Sequence, residues 1–184
     1  MKIIDTELPG LKILEPKIFE DMRGYFFEAY SRQELTELKV DGEIGQINQS
    51  YSCRGVLRGL HFQQPPYAQW KLAQCLAGRL FDVAVDMRIG SPTCGKWFGL
   101  ELSEQNHKQL FVPIGFAHGF FALTDCRMIY AVGNCYEPNA EAGLRYNDPA
   151  VGIEWPIDQP PQQNERDKSW PPFDAKQSLF KYKT

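Results

Sequence analysis

Three features of this 184-residue chain predict a mainly β fold. Short runs rich in β-branched and aromatic residues recur about every ten residues, a spacing typical of an antiparallel sandwich or barrel. Gly, Pro, Asn and Asp separate these runs. Hydrophobic residues make up 43% of the chain and charged residues 23%, which suits one domain with a buried core. The predicted strands span residues 11–19, 23–30, 44–52, 56–63, 70–77, 79–88, 95–102, 108–112, 117–124 and 127–136.

Helices are expected to be few and short. One is predicted over residues 31–39, where a Ser-x-x-Glu capping box precedes an apolar stripe formed by Leu35 and Leu38. Residues 148–184 are rich in Pro and polar side chains, so we expect an irregular segment that folds back along the barrel surface or across an open mouth. The whole chain, residues 1–184, is expected to form a single domain.

Composition excludes several classes of function. The net charge of −3 argues against a nucleic-acid partner, because phosphate backbones are bound by a surplus of Lys and Arg. Five cysteines without a C-x-x-C spacing argue against a disulfide framework or a structural zinc site. The chain has neither the apolar core of a signal peptide nor a long apolar run, so we expect a cytoplasmic protein with no membrane span.

Lys71 and Asp82 lie in a predicted hairpin, KLAQCLAGRLFDVAVDMR, that turns at its central Ala-Gly. Pairing outward from this turn sets Ala73 opposite Asp82 and Lys71 opposite Ala84, which makes Lys71 and Asp82 diagonal neighbours on one face. Taken alone, the hairpin favours an ordinary ion pair on an exposed face, because charged side chains are normally in water.

A polar stretch just before this hairpin favours a different interpretation. In GVLRGLHFQ, Arg58 and His61 are three residues apart, so a regular strand would direct them to opposite faces. Gly59 lies between them, and a glycine within a strand often marks a bulge. We therefore predict a bulge at Gly59 that turns both side chains into one cavity.

A third segment, VPIGFAHGFFALTD, places His118 on a strand after a turn. The return strand, CRMIYAVGNCY, contains Tyr130 and Tyr136. With a loop at residues 124–126, His118 and Tyr130 would share a face, and Tyr136 would join them by its even spacing. A lone histidine is more often a core residue, but His61 and His118 both fall in strands that lie beside Arg, Lys and Tyr.

Two of these segments resemble the half-motifs of the cupin barrels. P-x-G-x-x-H, which ends at His118, matches the second half-motif, and GLHFQ occupies the place of the first. Metal-dependent cupins have H-x-H and a later Glu in the first motif, whereas this chain has His61-Phe-Gln63 and then Gln69. Two metal ligands are therefore missing, which argues against a metal site and leaves His61 free to move protons.

A narrower resemblance covers about nine-tenths of the chain. Its blocks are DMRGYFFE (21–28), QINQS (46–50), GVLRGLHFQ (55–63), QWKL (69–72), DVAVDMR (82–88), SPTCGKW (91–97), PIGFAHGF (113–120) and NDPAVGIEWP (147–156). These blocks occur in the order found in the dTDP-4-dehydrorhamnose 3,5-epimerase family, and the sequence is identified as similar to that family.

This resemblance implies a cupin-type jelly-roll barrel and a homodimer whose N-terminal strands reach the neighbouring subunit. It implies an isomerase that needs no cofactor. The substrate would be dTDP-4-dehydro-6-deoxy-D-glucose, whose C3 and C5 protons are acidic because both carbons adjoin the C4 ketone. Inverting these carbons needs a base, an acid on the opposite side and a cation beside the enolate oxygen.

The resemblance also implies the catalytic residues. His61 matches the base, and Asp167 matches the partner that fixes its tautomer. Tyr130 matches the acid, which a nearby cation would help by favouring the ionised phenol. Lys71 matches the cation beside the carbonyl, where Asp82 would hold it in place and keep it charged.

The resemblance implies that the remaining matched positions bind substrate. Their implied contacts are the diphosphate for Arg23 and Arg58, the nucleoside for Glu28, Gln46 and Asn48, the thymine for Tyr136, and further parts of the ligand for His118, Glu141, Arg166 and Lys168. The family often has S-E-K-D where this chain has Asn164-Glu165-Arg166-Asp167, and two tyrosines where it has Cys135-Tyr136. These departures concern the stacking environment and relative affinity.

Three other functions stay open at this level. Relatives of the family invert only C3 or only C5 of related dTDP-4-keto sugars with nearly the same catalytic residues. A cupin barrel can also lose catalysis and merely bind a nucleotide sugar, although such proteins usually lose the base or the acid. A cupin-type metalloenzyme is the third alternative, against which the missing ligands argue.

Overall fold

The computed structural model describes residues 1–38, 40 and 43–182. Strands dominate it, as predicted. In chain order the strands are β1 (Lys2–Asp5), β2 (Lys12–Glu15), β3 (Phe19–Asp21), β4 (Gly24–Phe26), β5 (Gln46–Ser52), β6 (Leu57–Gln63), β7 (Lys71–Ala77), β8 (Arg79–Asp86), β9 (Trp97–Ser103), β10 (Gln109–Val112), β11 (Phe116–Ala122), β12 (Cys126–Val132) and β13 (Glu141–Gly143). The α-helices are α1 (Arg32–Glu37) and α2 (Glu165–Ser169).

The strands form two large antiparallel sheets and one small one. The six-stranded sheet has the order β1-β2-β10-β7-β12-β5, and the five-stranded sheet has the order β13-β6-β11-β8-β9. Strands β3 and β4 form a separate two-stranded hairpin. The predicted mainly β, antiparallel architecture is therefore confirmed.

The two predicted hairpins are wrong in their pairing. β7 and β8 follow one another but belong to different sheets, so Lys71 pairs with Val112 and Val132 rather than with Ala84. The same holds for β11 and β12, which lie in the five-stranded and six-stranded sheets respectively. The chain crosses between sheets at Gly78, whose φ is 74° and where a Cβ would lie 2.0 Å from a backbone oxygen. A tight turn of this kind serves a sheet crossing as well as a hairpin.

A hydrophobic core fills the space between the sheets. Leu80 and Leu102 from one sheet meet Leu110 and Met128 from the other, each at most 1% exposed. Phe120 and Met128 belong to this core and also line a cavity beside His61 and His118. The rigid core thus forms part of that cavity's wall.

The Pro-rich tail covers the outer face of the five-stranded sheet. Val83 and Val85, which alternate with the inward-facing Asp82, pack with Val151, Phe173 and Phe180 in a second cluster. Single bridges join Val56 to Gln162 and Ile89 to Lys181. The outer face of the five-stranded sheet is thus covered by the C-terminal segment, which the sequence predicts to lie along the barrel surface or across an open mouth.

The helices differ in part from the sequence prediction. The predicted helix over 31–39 is present as α1, while Lys39 and the side chains of Glu34 and Leu35 lie outside the described residues. Helix α2 was expected to be irregular. Asn164 caps it by accepting a hydrogen bond from the backbone N–H of Asp167. None of the helices in the described part of the chain has the length and apolar character of a membrane span.

Candidate active site

A group of polar side chains surrounds a cavity of about 320 Å³ between the two sheets. This volume lies at the lower end of the range for small-molecule sites. Most of the sequence-predicted residues line it. They are Gln46, Asn48, Arg58, His61, Lys71, His118, Tyr130, Tyr136, Glu141 and Arg166.

The bulge predicted at Gly59 is confirmed. His61 pairs with His118 and Arg58 pairs with Phe120, so three steps along β6 match two steps along β11. Gly59 has a φ of 120°, and a Cβ there would lie 2.6 Å from the Cα of Gly119. A side chain at residue 59 would therefore push the strands apart. The bulge lets Arg58 and His61 line the same cavity.

His61 is held by a buried carboxylate from the tail. Its Nε2 lies 2.8 Å from Oδ1 of Asp167, whose Oδ2 accepts a hydrogen bond of 3.0 Å from the backbone N–H of Gly59. Burial alone would raise the pKa of Asp167, but hydrogen bonds from His61 and Gly59 outweigh it and hold the pKa below its usual value. An ionised Asp167 accepts the Nε2 proton, so Nδ1 keeps the lone pair that a base requires.

Tyr130 lies on β12, in the sheet opposite His61. Burial raises the pKa of its phenol above the usual value, while the nearby Arg58 opposes this and Glu141 adds to it. The cation expected beside Tyr130 is thus present, but burial outweighs it. A phenol with a raised pKa stays protonated through the neutral range and holds a proton ready for donation.

Lys71 is buried, and its ammonium donates a hydrogen bond of 3.2 Å to the carbonyl oxygen of His61. Burial lowers the pKa of Lys71 to about 8, against the opposing effect of the Asp82 and Glu141 carboxylates. Lys71 is therefore mostly cationic at neutral pH and close to losing its proton just above it.

The partner predicted for Asp82 needs correction. Its Oδ1 lies 2.9 Å from Nε2 of His118, and no hydrogen bond joins it to Lys71 among the described residues. Its Oδ2 is buried without a hydrogen-bond partner in the described part of the chain. Asp82 thus positions His118 directly and acts on Lys71 only through its charge, because the two strands belong to facing sheets rather than to one hairpin.

Arg58 is oriented by the neighbouring strand β5. Its Nε donates to Oγ of Ser52 and its Nη2 donates to the carbonyl of Tyr51, both at 3.0 Å. On the inner face of β5, Gln46 donates through Nε2 to Oδ1 of Asn48 at 2.5 Å. These polar groups provide donors and acceptors for the phosphate and nucleoside contacts predicted from sequence.

Tyr136, Glu141 and Arg166 form a connected group at one end of the cavity. The Tyr136 hydroxyl donates to Oε2 of Glu141 at 2.7 Å, and Arg166 forms an ion pair with the same oxygen. Tyr136 lies in the loop after β12, which ends at Val132, rather than on the strand as predicted. Its position at the cavity therefore depends on the loop and not on strand alternation.

Three predicted binding residues lie away from this cavity. Arg23 sits on the turn of the exposed β3–β4 hairpin and pairs with Asp21. Glu28 follows that hairpin and is exposed. Lys168 points outward from α2 and pairs with Glu165. The single chain does not bring these three residues to the site.

Some cavity residues were not singled out from sequence as site residues. Ser50 has a detectable signal, because it continues the alternation of Gln46 and Asn48 on the inner face of β5. Gln63 and Gln69 were noted only as replacements for metal ligands. The added lining residues are Ser50, Phe62, Gln63, Gln69, Gly119, Phe120 and Met128. Among the described residues no group of three His, Cys, Asp or Glu side chains is arranged to hold a metal ion.

A histidine–aspartate pair and a tyrosine on opposite walls of one cavity, with a lysine beside them, define a proton-transfer site of the isomerase type. Comparison with known proteins gives the particular family. The model of the family described as dTDP-4-dehydrorhamnose 3,5-epimerase matches residues 5–175. The chain belongs to the dTDP-4-dehydrorhamnose 3,5-epimerase family.

Individual relatives agree with this assignment. The chain is 47% identical to dTDP-4-dehydrorhamnose 3,5-epimerase of Salmonella typhimurium over 178 residues, which cover 95% of this chain and 96% of that protein. A crystal structure of the dTDP-6-deoxy-D-glucose-3,5-epimerase of Legionella pneumophila in complex with dTDP-4-keto-L-rhamnose matches with a TM-score of 0.93 and 41% identity. The match covers 100% of this chain and 99% of that one, and the predicted cupin-type jelly roll is confirmed.

A relative with a narrower activity has a similar fold. The 3'-monoepimerase of Streptomyces bikiniensis, in complex with dTDP-quinovose, matches with a TM-score of 0.86 and 32% identity. This match covers 92% of this chain and 86% of that one. The fold is therefore shared by an enzyme described as acting at a single carbon.

Proposed function

We propose that this chain inverts both C3 and C5 of dTDP-4-dehydro-6-deoxy-D-glucose and so forms dTDP-4-dehydro-L-rhamnose. The observation that carries the proposal is the placement of His61, paired with Asp167, and Tyr130 on opposite walls of one cavity. Inversion by proton transfer needs a base on one face of the sugar ring and an acid on the other.

The reaction proceeds through an enolate. Nδ1 of His61 removes the proton from C5, the electron pair of the C–H bond forms a C4–C5 double bond, and the π pair of the ketone moves to the C4 oxygen. The ammonium of Lys71 stabilises this oxygen, since a cation in a buried site acts strongly on developing negative charge. Tyr130 then donates its proton to the opposite face of C5, and solvent restores both groups before the same steps invert C3.

The nucleotide half of the substrate is proposed to extend from the sugar toward the mouth of the cavity. Arg58 pairs with the diphosphate, while Gln46, Asn48 and Tyr136 contact the nucleoside. His118, fixed by Asp82, contacts the sugar. Glu141 and Arg166 complete the wall beside Tyr136.

Incubation with dTDP-4-dehydro-6-deoxy-D-glucose in D₂O tests this function. We expect NMR to show a product inverted at C3 and C5, with deuterium at both carbons. Deuterium and inversion at a single carbon would instead identify a monoepimerase, and binding of dTDP without any exchange would identify a catalytically inactive binding protein.

We further propose that the enzyme acts in the cytoplasm as a homodimer whose subunits share their active sites. The β3–β4 hairpin exposes Phe19, Tyr25 and Phe26, each at least 52% accessible. Arg23 on its turn and Glu28 just after it both lie away from their own cavity. An exposed apolar hairpin of this kind is suited to cover a second subunit. Arg23 and Glu28 would then complete the partner's nucleotide site.

Mixing two inactive variants tests the shared site. A heterodimer of Arg23→Ala and His61→Asn would contain one site with both defects and one intact site. We therefore expect activity to appear on mixing the two proteins, measured as sugar conversion after subunit exchange. Failure to recover activity in a mixture that sedimentation shows to contain dimers would contradict the shared site.

A further inference from the structure

Gln63 is almost fully buried, with 4% of its surface exposed, and none of the roles assigned above uses it. It lies two residues after His61 on β6, so strand alternation directs both side chains into the cavity. In metal-dependent cupins this second position of the H-x-H motif holds a metal ligand. Here a neutral amide occupies it.

The side-chain amide of Gln63 forms hydrogen bonds with the backbone of the residues on both sides of Tyr136. Its Nε2 donates to the carbonyl of Cys135 at 3.2 Å and to the carbonyl of Tyr67 at 2.7 Å. Its Oε1 accepts from the backbone N–H of Glu137 at 2.7 Å. The residues before and after Tyr136 are thus fixed by one side chain.

Only an amide satisfies these partners. Two backbone carbonyls need N–H donors, and one backbone N–H needs an acceptor, which together match a carboxamide. A glutamate would place a charged oxygen against the carbonyls of Tyr67 and Cys135. An apolar side chain would leave all three partly buried backbone groups without their Gln63 partner, which is costly.

A second glutamine holds Tyr136 from the opposite sheet. The backbone N–H of Tyr136 donates to Oε1 of Gln46 on β5 at 2.9 Å, and its hydroxyl donates to Glu141. Three consecutive residues of an irregular loop are thus tied to side chains of both sheets. Tyr136 is thus held by hydrogen bonds within the protein at both its backbone N–H and its hydroxyl.

We propose that Gln63 is the positioning residue for Tyr136, fixing that ring in the orientation that receives the nucleotide. The inference rests on the proposed function, in which Tyr136 contacts the thymine. Gln63 itself need not touch the reacting carbons. Its contribution is the preorganisation of the nucleotide wall, which lowers the ordering cost of binding.

The test is the affinity for dTDP, measured by calorimetry, in the isosteric variant Gln63→Glu. We expect Kd for dTDP and KM for the sugar nucleotide to rise about tenfold, as for the loss of one or two hydrogen bonds, with kcat within about twofold of the wild type. Gln105→Glu makes the same change in an exposed turn and is expected to leave Kd unchanged.

A double-mutant cycle with Tyr136→Ala separates positioning from a general structural role. In the Tyr136→Ala background, Gln63→Glu should change Kd by less than about twofold, because the ring it positions is gone. An equal loss in both backgrounds would overturn the proposal, as would wild-type affinity in Gln63→Glu alone.

Hydrogen exchange in the ligand-free protein gives a readout that needs no turnover. Gln63→Met removes all three hydrogen bonds and serves as the second variant if Gln63→Glu does not fold. Exchange of the amides of residues 135–137 should accelerate in it, and unchanged exchange would overturn the proposal. A wild-type protein that binds dTDP but fails to convert the sugar would contradict the epimerase function, while exchange and the affinity cycle still decide the role of Gln63.

Discussion

Replacing His61 with asparagine is expected to lower kcat for epimerisation by roughly a thousandfold or more, within the range found for loss of a general base or slightly beyond it. Asparagine does not take up a proton at neutral pH, and it breaks the contact with Asp167. The loss should appear in kcat, measured by NMR of the sugar products. The affinity for dTDP should change little, because the nucleotide contacts lie on other residues.

Asp167→Asn provides a companion to this variant. Its amide would donate to Nε2 of His61 and so place the imidazole proton on Nδ1, the nitrogen that must be free to act as a base. We expect a large loss of kcat here too. Asp158→Asn makes the same change at an exposed ion pair with Arg54 and should leave kcat within about twofold. Near wild-type turnover in His61→Asn would show that the base lies elsewhere.

Replacing Lys71 with methionine is expected to lower kcat by a factor of about 10² to 10³, the loss typical of removing one group that stabilises an oxyanion. Methionine has a similar length but leaves the enolate oxygen without its cation. Lys96→Met, on an exposed side chain, is the matched control and should keep wild-type turnover. A Lys71→Met enzyme with unchanged kcat would contradict the assigned role of Lys71.

The depressed pKa of Lys71 gives this prediction a pH dependence. Below pH 8 the ammonium of the free enzyme is charged, so kcat/KM should hold to about pH 8 and fall above it as Lys71 loses its proton. The raised pKa of Tyr130 keeps the phenol protonated over the same range, so this alkaline decline reports Lys71. A kcat/KM that stays level well above pH 8 would contradict the assignment.

The free energy of unfolding should change with pH in the opposite direction to catalysis. The pKa of Lys71 is 10.5 in the unfolded chain and about 8 in the folded protein, so the unfolded chain binds the proton more tightly. The free energy of unfolding therefore rises with pH between about 8 and 10.5, and at pH 7 the buried charge is a net cost. Lys71→Met should be at least as stable as the wild type at pH 7 by urea denaturation, which separates lost catalysis from lost folding.

The sequence predicted the Gly59 bulge because spacing and residue type gave the same answer. In a regular strand Arg58 and His61 would point to opposite faces. Gly59 lies between them, and glycine is the residue type that most easily permits the bulge that brings them to one face. The strand pairings of β7 with β8 and β11 with β12 were predicted wrongly, since a strand, a short glycine turn and a second strand look alike whether the strands pair or cross between sheets.

Residues proposed to act on the ligand could be named from the sequence, whereas a residue that binds backbone groups was missed. His61, Tyr130, Lys71 and Asp167 were found through the family resemblance, which preserves residue types at fixed positions. Gln63 was noted only because it occupies a position where metal-dependent cupins have a metal ligand. Its partners are main-chain groups, and residue types in a sequence do not reveal which main-chain groups a side chain will meet. The contact of Asp82 with His118 was missed because it follows from the pairing of β8 with β11.

The most direct test of the central claim, removal of the proton by His61 and its delivery by Tyr130, is deuterium exchange in single variants. The substrate is incubated in D₂O with Tyr130→Phe or with His61→Asn, and NMR follows isotope and configuration at C3 and C5. We predict that Tyr130→Phe admits deuterium with the original configuration retained, because His61 still removes a proton and returns a deuteron from the same face. His61→Asn should admit none. Deuterium uptake in His61→Asn, with none in Tyr130→Phe, would contradict the account.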